Sequence, residues 1–162
     1  MSDHLDELYR EIILDHYRTP RNRGELPVPP AHRVEGFNPL CGDEIVLYLD
    51  MTDGVLANIK TGGHGCSISQ SSASLMSAAV KGRALSDVDD LVATFKRLVG
   101  VGEEIDPPDA PVDLDSLGEL AALQGVVKFP VRIKCAVLAW NTLLTGLHDE
   151  SSSATSEYTS LD

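Results

Sequence analysis

Four side chains in this 162-residue chain could form one reactive centre: Cys41, Asp43, Cys66 and Cys135. No CxxC pair is present, and the second and third cysteines follow the first by 25 and 94 residues. Any shared site must therefore be assembled by the fold. Cys41 and Asp43 stand two apart at the mouth of an alternating run, so in extended chain both project to one side, in phase with Ile45, Leu47 and Leu49. A thiol and a carboxylate side by side suit a divalent cation. The alternative is a turn-capping aspartate beside a small buried cysteine.

Cys66 follows Thr61-Gly-Gly-His-Gly and precedes a helical stretch. At a helix N-terminus, backbone N–H groups and the dipole favour thiolate over thiol. A plain glycine turn with a capping residue is the competing account. Cys135 lies roughly 200° around a helical wheel from Ile133, which heads the stripe Ile133, Val137, Trp140, Leu144 and Leu147. Cys135 is thus off that stripe, although Val131 and Leu138 allow a second buried face. Arg132, three residues earlier, is its neighbour on the helix surface, and a cation there lowers a thiol pKa. Three thiols and one carboxylate make four ligands, enough to close a tetrahedral zinc site or to hold an iron–sulfur cluster. His64 is a weaker candidate ligand or proton donor, with an ordinary loop histidine as the alternative.

The elements that must position these groups are legible in outline. Residues 4–18 have apolar residues at helical spacing, and Thr19-Pro20 ends the run. Residues 20–30, with four prolines and a glycine, read as a loop. A short strand is expected at 32–37. Residues 44–50 and 55–60 alternate around Asp53-Gly54, a hairpin signal. Residues 61–65 read as a glycine-rich break. Helices are expected at 67–81, 86–99, 116–124 and 130–147, with Gly82 and Gly100 after the first two and Pro130 opening the last. Residues 100–115, with three prolines and six acids, read as a loop. The domain is expected over 1–147, and 148–162, rich in Ser and Thr and free of Lys and Arg, as a disordered tail.

The bulk numbers bound the function. A net charge of −12 argues against a nucleic-acid partner, which needs a dense basic surface. Arg18, Arg21, Arg23 and Arg33 are either a docking patch or an ordinary solvated face. The acidic N-terminus lacks an apolar signal core, and no apolar run approaches membrane-span length. Three cysteines are too few for a disulfide framework, so a reducing cytoplasm is expected.

Four segments, LYREIILDHYRTPRNRG, NPLCGDEI, GGHGCSISQSSASLM and VKFPVRIKCAVLAWNTL, resemble in order those of the IscU/NifU-N family of iron–sulfur assembly proteins. The resemblance spans residues 8 to 147. Scaffold-type members carry a histidine before the third cysteine and many carry a Leu-Pro-Pro-Val-Lys chaperone motif. Here Lys134 precedes Cys135, and the matching segment is LQGVVKFPVR. The acidic stretch before Cys135 and the RIKC sequence are instead similar to the zinc-dependent SufU branch. The resemblance implies an α+β fold of the SufE/IscU type, a small antiparallel sheet of about three strands packed by helices. It implies one Zn²⁺ on Cys41, Asp43, Cys66 and Cys135. It further implies that Cys41 accepts persulfide sulfur from a SufS-type cysteine desulfurase, a histidine of which takes its place on zinc, with Arg132 beside the site and downstream Suf assembly proteins as recipients. The alternatives are an IscU-like scaffold that assembles a [2Fe–2S] cluster on the same ligands, and a structural zinc domain used for protein contacts.

Overall fold

The computed structural model describes residues 2–39, 42–99 and 117–148. Cys41, the acidic loop at 100–115 and the expected tail beyond His148 lie outside them. Helix α1 (Ser2–Arg18) precedes the strands β1 (His32–Asn38), β2 (Asp43–Thr52) and β3 (Val55–His64). Helices α2 (Ser67–Val80) and α3 (Leu85–Leu98), a 3-10 run (Gly118–Lys128) and helix α4 (Pro130–His148) follow. The sheet is antiparallel throughout, in the order β1-β2-β3. This is the α+β arrangement that the sequence leads one to expect.

The alternation in β2 sets which face is buried. Asp43, Ile45, Leu47 and Leu49 are buried, while Glu44, Val46, Tyr48 and Asp50 are partly exposed. Asp53 and Gly54 turn the hairpin with φ of 54° and 76°. Two positive φ values in a two-residue turn match the twist of the flanking strands. The expected break at 61–65 is corrected: β3 continues through His64, with Gly63 opposite Ile45 and His64 opposite Glu44. The glycines there serve close approach rather than chain reversal. A Cβ at Gly63, whose φ is 103°, would lie 2.1 Å from the Glu44 carbonyl oxygen.

Helix α2 runs through the middle of the molecule, and it buries polar residues alongside Ala73, Leu75, Met76 and Val80. Ser69, Ser71, Ser72, Ser74 and Ser77 are all buried, and each hydroxyl has a partner. Ser71 donates to the Ile13 carbonyl of α1 at 2.7 Å, and Ser72 to the Ala136 carbonyl of α4 at 2.6 Å. Ser72 also accepts from Trp140 Nε1 at 3.0 Å, while the Trp140 ring stacks on Phe95 of α3 at 4.1 Å between centroids. His16 is buried, with Nδ1 2.8 Å from Ser74 Oγ and Nε2 2.8 Å from Glu119 Oε1. Ser74 already accepts the Arg21 N–H, so its one hydroxyl proton is available for Nδ1, leaving Nε2–H to face Glu119. These bonds fix α1, α4 and the 3-10 run to α2 by direction as well as by apolar burial.

The α-helix expected at 116–124 is corrected from Gly118 onward. The observed run is 3-10 and extends to Lys128, far longer than such runs usually are. Residues 120–123 are all buried, wedged against α1, α2 and α4, so packing on several sides overrides local preference. Helix α4 is likewise buried around most of its middle, Cys135 through Trp140 included. Among the described residues no helix is long and apolar enough to cross a membrane.

Candidate metal and thiol centre

Three of the four expected ligands meet. Oxygen or sulfur atoms of Asp43, Cys66 and Cys135 all lie within 4.8 Å of one another. Asp43 and Cys135 are buried, and Cys66 is half-buried. Each arrives by a different element. Asp43 opens β2 on the core-facing phase of that strand. Cys66 is the N-cap of α2, with φ −71° and ψ 168°, and its sulfur accepts the Ser69 N–H at 3.5 Å. Cys135 sits in the second turn of α4, its sulfur 3.8 Å from the Val131 carbonyl. It occupies the second buried face of α4, off the stripe headed by Ile133.

Asp43 and Cys66 are tied directly. The Cys66 N–H donates to Asp43 Oδ1 at 2.9 Å, and the Cys66 sulfur stands 3.6 Å from Oδ2. The glycine before Cys66 makes this possible. A Cβ at Gly65 would lie 2.5 Å from Asp43 Oδ1 and 2.7 Å from Ser69 Oγ. Gly63 and Gly65 therefore let β3 and the helix entry close on β2 tightly enough for the carboxylate to reach the backbone.

The site's electrostatics favour thiolate. The Cys66 thiol falls from its ordinary 9.0 to about 6. The largest cause is a hydrogen bond with the Cys135 thiol, helped by the Ser69 and Ile68 backbone, while burial and the Asp43 charge oppose it. The Arg132 guanidinium is pushed upward, first by the charge on Cys66, then by that on Cys135, against desolvation. Arg132 is itself exposed, so it faces the site from the solvent side. Beside it opens a groove of about 400 Å³, lined among others by Arg10, Ile13, Ile68, Val126 and Phe129. Phe129, on its lining, is 60% exposed.

The remaining candidates fall elsewhere. His64 is mostly exposed and pairs with Glu44 at 3.1 Å. It stands apart from the cluster of donor atoms. Three of the four arginines have partners of their own: Arg21 pairs with Asp15, Arg33 with Glu35, and Arg23 reaches Gly63 and Gln70, while Arg23 and Arg33 line one cavity. Sequence reasoning missed Ser69 and Gln70, which shape the turn carrying Cys66, and it offered Arg23 only as part of a docking patch or solvated face, not as a residue of that turn. His16 was also missed, although it lies four residues after Ile12 and three after Ile13 on the apolar side of α1.

The chain as a whole is similar to known proteins. A family model described as NifU-like N terminal domain matches residues 8–148. The chain is 42% identical over 146 residues to the zinc-dependent sulfurtransferase SufU of Bacillus subtilis, covering 90% of this chain and 93% of that protein. It is 37% identical over 139 residues to the iron–sulfur cluster assembly scaffold protein IscU of Streptococcus pyogenes, covering 86% and 82%. A solved structure from Fervidobacterium islandicum, described as a candidate iron–sulfur cluster assembly scaffold protein for the SUF system, superimposes with a TM-score of 0.72. It is 28% identical, over 85% of this chain and 94% of that one.

Proposed function

This chain belongs to the NifU-like N-terminal domain family, and on that premise we propose that it serves iron–sulfur cluster biogenesis in the cytoplasm as a zinc-containing sulfur acceptor. It takes persulfide sulfur from a SufS-type cysteine desulfurase on Cys41 and passes it to downstream assembly proteins. The observation that supports this reading is the meeting of Asp43, Cys66 and Cys135 within 4.8 Å. A buried carboxylate, a buried thiol and a half-buried thiol of lowered pKa suit zinc in donor type and in ionisation. Cys41 would be the fourth ligand. When bound, zinc would supply the positive charge that keeps coordinating thiols ionised near neutral pH.

The chain's own residues then divide the work. The Cys41 thiolate attacks the outer sulfur of the desulfurase persulfide. The bond between that sulfur and the desulfurase cysteine breaks as the Cys41–sulfur bond forms, and the desulfurase cysteine leaves as thiolate. Charge and sulfur oxidation level are conserved. Asp43 holds the Cys66 N–H and so aims the Cys66 sulfur inward. Arg132 balances the charge of Cys66 and Cys135 and offers the persulfide anion a charge-assisted partner from the open side. The groove beside Arg132 and its apolar margin provide room for the partner's approach.

The similarity to a relative named as an IscU scaffold favours a second reading, in which the same donors hold a [2Fe–2S] cluster during assembly. Lys134, where scaffold members of the resemblance have histidine, weighs against it. The test is purification without added metal, metal analysis, and transfer of ³⁵S from labelled cysteine through a SufS-type desulfurase. The expected result is about one zinc per chain, no visible absorbance, and label on wild type but not on Cys41→Ala. Bound iron with visible absorbance would overturn zinc-dependent transfer in favour of the scaffold. A colourless zinc protein that takes no label would leave a structural zinc domain.

A further inference from the structure

The TPRNRG segment, residues 19–24, carries an arginine with no part in the scheme above. Residues 22–24 run alongside β3 as a short strap. The Thr61 N–H donates to the Asn22 carbonyl at 2.8 Å, and the Gly24 N–H to the Thr61 carbonyl at 3.0 Å. Asn22 Nδ2 also donates to Ser77 Oγ of α2 at 3.0 Å. The strap is therefore anchored by its backbone and by Asn22, without help from the Arg23 side chain.

From that anchored position, Arg23 spans the turn that carries Cys66. Its Nη2 donates to the Gly63 carbonyl at 2.7 Å and its Nη1 to Gln70 Oε1 at 3.1 Å. Gly63 is the penultimate residue of β3, and Gln70 closes the first turn of α2 with its N–H on the Cys66 carbonyl at 3.1 Å. Gln70 Nε2 stands 3.4 Å from Ser69 Oγ, and Ser69 Oγ donates to the same Cys66 carbonyl at 3.2 Å. One guanidinium thus grips both ends of the His64–Gly65–Cys66 turn, and a chain of hydrogen bonds leads from it to the Cys66 backbone. A planar fork with fixed donors holds two acceptors in one geometry, which a flexible ammonium cannot do.

We propose that Arg23 is a positioning residue for the centre, clamping Gly63 to Gln70 so that the Cys66 N–H and sulfur stay aimed at Asp43 and Cys135. The inference rests on the reading of this cluster as a thiolate metal centre. It adds a group outside the ligand set that decides how well the set is preassembled.

The test uses the full chain with Arg23→Ala and Arg23→Lys. Amide hydrogen exchange is followed on the metal-free protein, and Co²⁺ is titrated as probe through its sulfur-to-cobalt absorption. In Arg23→Ala, exchange of the Cys66 amide should rise and Co²⁺ affinity fall, each about tenfold, for the loss of an exposed charge-assisted pair of bonds. The Gly24 and Thr61 amides should keep wild-type exchange, and Arg23→Lys should recover part of both effects. Unchanged Cys66 exchange and Co²⁺ affinity would overturn the proposal. So would a rise at Gly24 and Thr61 equal to that at Cys66, because Arg23 would then be a general prop of the strap. If wild type shows no sulfur-to-cobalt absorption, the metal-centre reading falls, whereas the exchange data still judge the clamp.

Discussion

Alanine at Gly65 is the sharpest probe of the centre, because the surrounding distances set the outcome. The new Cβ would stand 2.5 Å from Asp43 Oδ1, 2.9 Å from Asp43 Cγ and 2.7 Å from Ser69 Oγ. Comfortable contact needs about 3.5 Å, so the carboxylate must retreat by about 1 Å. The Cys66 N···Oδ1 bond of 2.9 Å would then stretch beyond hydrogen-bonding range. Asp43 is buried, so the bond it loses is not simply replaced by water. A charge-assisted bond of this kind contributes about 2–3 kcal/mol, equivalent to a drop of about 5–10 °C in Tm for a chain of this size. Gly62→Ala is the internal control, since its Cβ would meet only Val46 Cβ at an ordinary 3.8 Å. Gly63→Ala is the opposite extreme, with backbone 2.1 Å away and a φ of 103°, and should cost at least about 4 kcal/mol. Thermal unfolding of the metal-free chain and Co²⁺ titration should therefore rank the three as Gly62 mildest, Gly65 intermediate and Gly63 worst. For Gly65→Ala the cobalt affinity should also fall by about tenfold or more. A Gly65→Ala protein as stable as Gly62→Ala, with wild-type cobalt affinity, would refute the claim that Asp43 holds Cys66 in place.

Other perturbations test separate parts of the structure. In metal-free Cys41→Ala protein, alkylation of Cys66 should rise with pH to a plateau, half-maximal near 6, because the thiolate forms above its lowered pKa. Adding Cys135→Ala removes the largest cause and should move that midpoint upward; a midpoint near 9.0 in both would contradict the assignment. His16→Ala should lower stability to denaturant by about 2–3 kcal/mol, since it empties a buried site and leaves the Ser74 hydroxyl proton without its acceptor; a loss below about 0.5 kcal/mol would show that the His16 bonds are not stabilising. Trp140→Phe keeps an aromatic ring for Phe95 but removes the donor to Ser72, and should cost about 1 kcal/mol in the same measurement.

Periodicity made part of this architecture legible. Strand phase put Asp43 on the face of Ile45, Leu47 and Leu49, and all four are buried. Local chemistry likewise put Cys66 at a helix N-terminus, where it is the N-cap. What stayed hidden depends on partners far away in sequence. The serines of α2 carry no signal of their own in the sequence, because their partners Ile13, His16, Ala136 and Trp140 come within hydrogen-bonding distance only in the fold. Thr61-Gly-Gly-His-Gly reads as a break whose glycines allow close backbone approach, but that β3 continues through it, and that β2 and Asp43 are what it approaches, depends on the pairing. The wheel set Cys135 apart from the Ile133 stripe but could not decide whether its own side was buried. That depends on neighbouring elements, and α4 turns out to be enclosed on two sides.

The same contrast bears on Asp43, the least conventional ligand of the proposed set. A cysteine or histidine there would bind zinc at least as well, so metal affinity alone does not account for a carboxylate. The geometry supplies a second task. One oxygen accepts the Cys66 N–H while the other stands 3.6 Å from the Cys66 sulfur. A forked acceptor fixes a neighbouring ligand's backbone with one atom and presents the other to the centre. A thiolate offers a single atom, and a histidine ring has no second acceptor on the same side. The negative charge also raises the Cys66 pKa, against the Cys135, Ser69 and Ile68 bonds that lower it. Asp43→Asn keeps the fork's shape but removes its charge, and Asp43→Cys supplies a stronger ligand but no fork. If holding Cys66 is the carboxylate's task, amide exchange at Cys66 should stay slow in Asp43→Asn and rise in Asp43→Cys, even where the cysteine variant binds Co²⁺ as tightly as wild type. Faster exchange in Asp43→Asn, with wild-type protection in Asp43→Cys, would show that the fork is irrelevant.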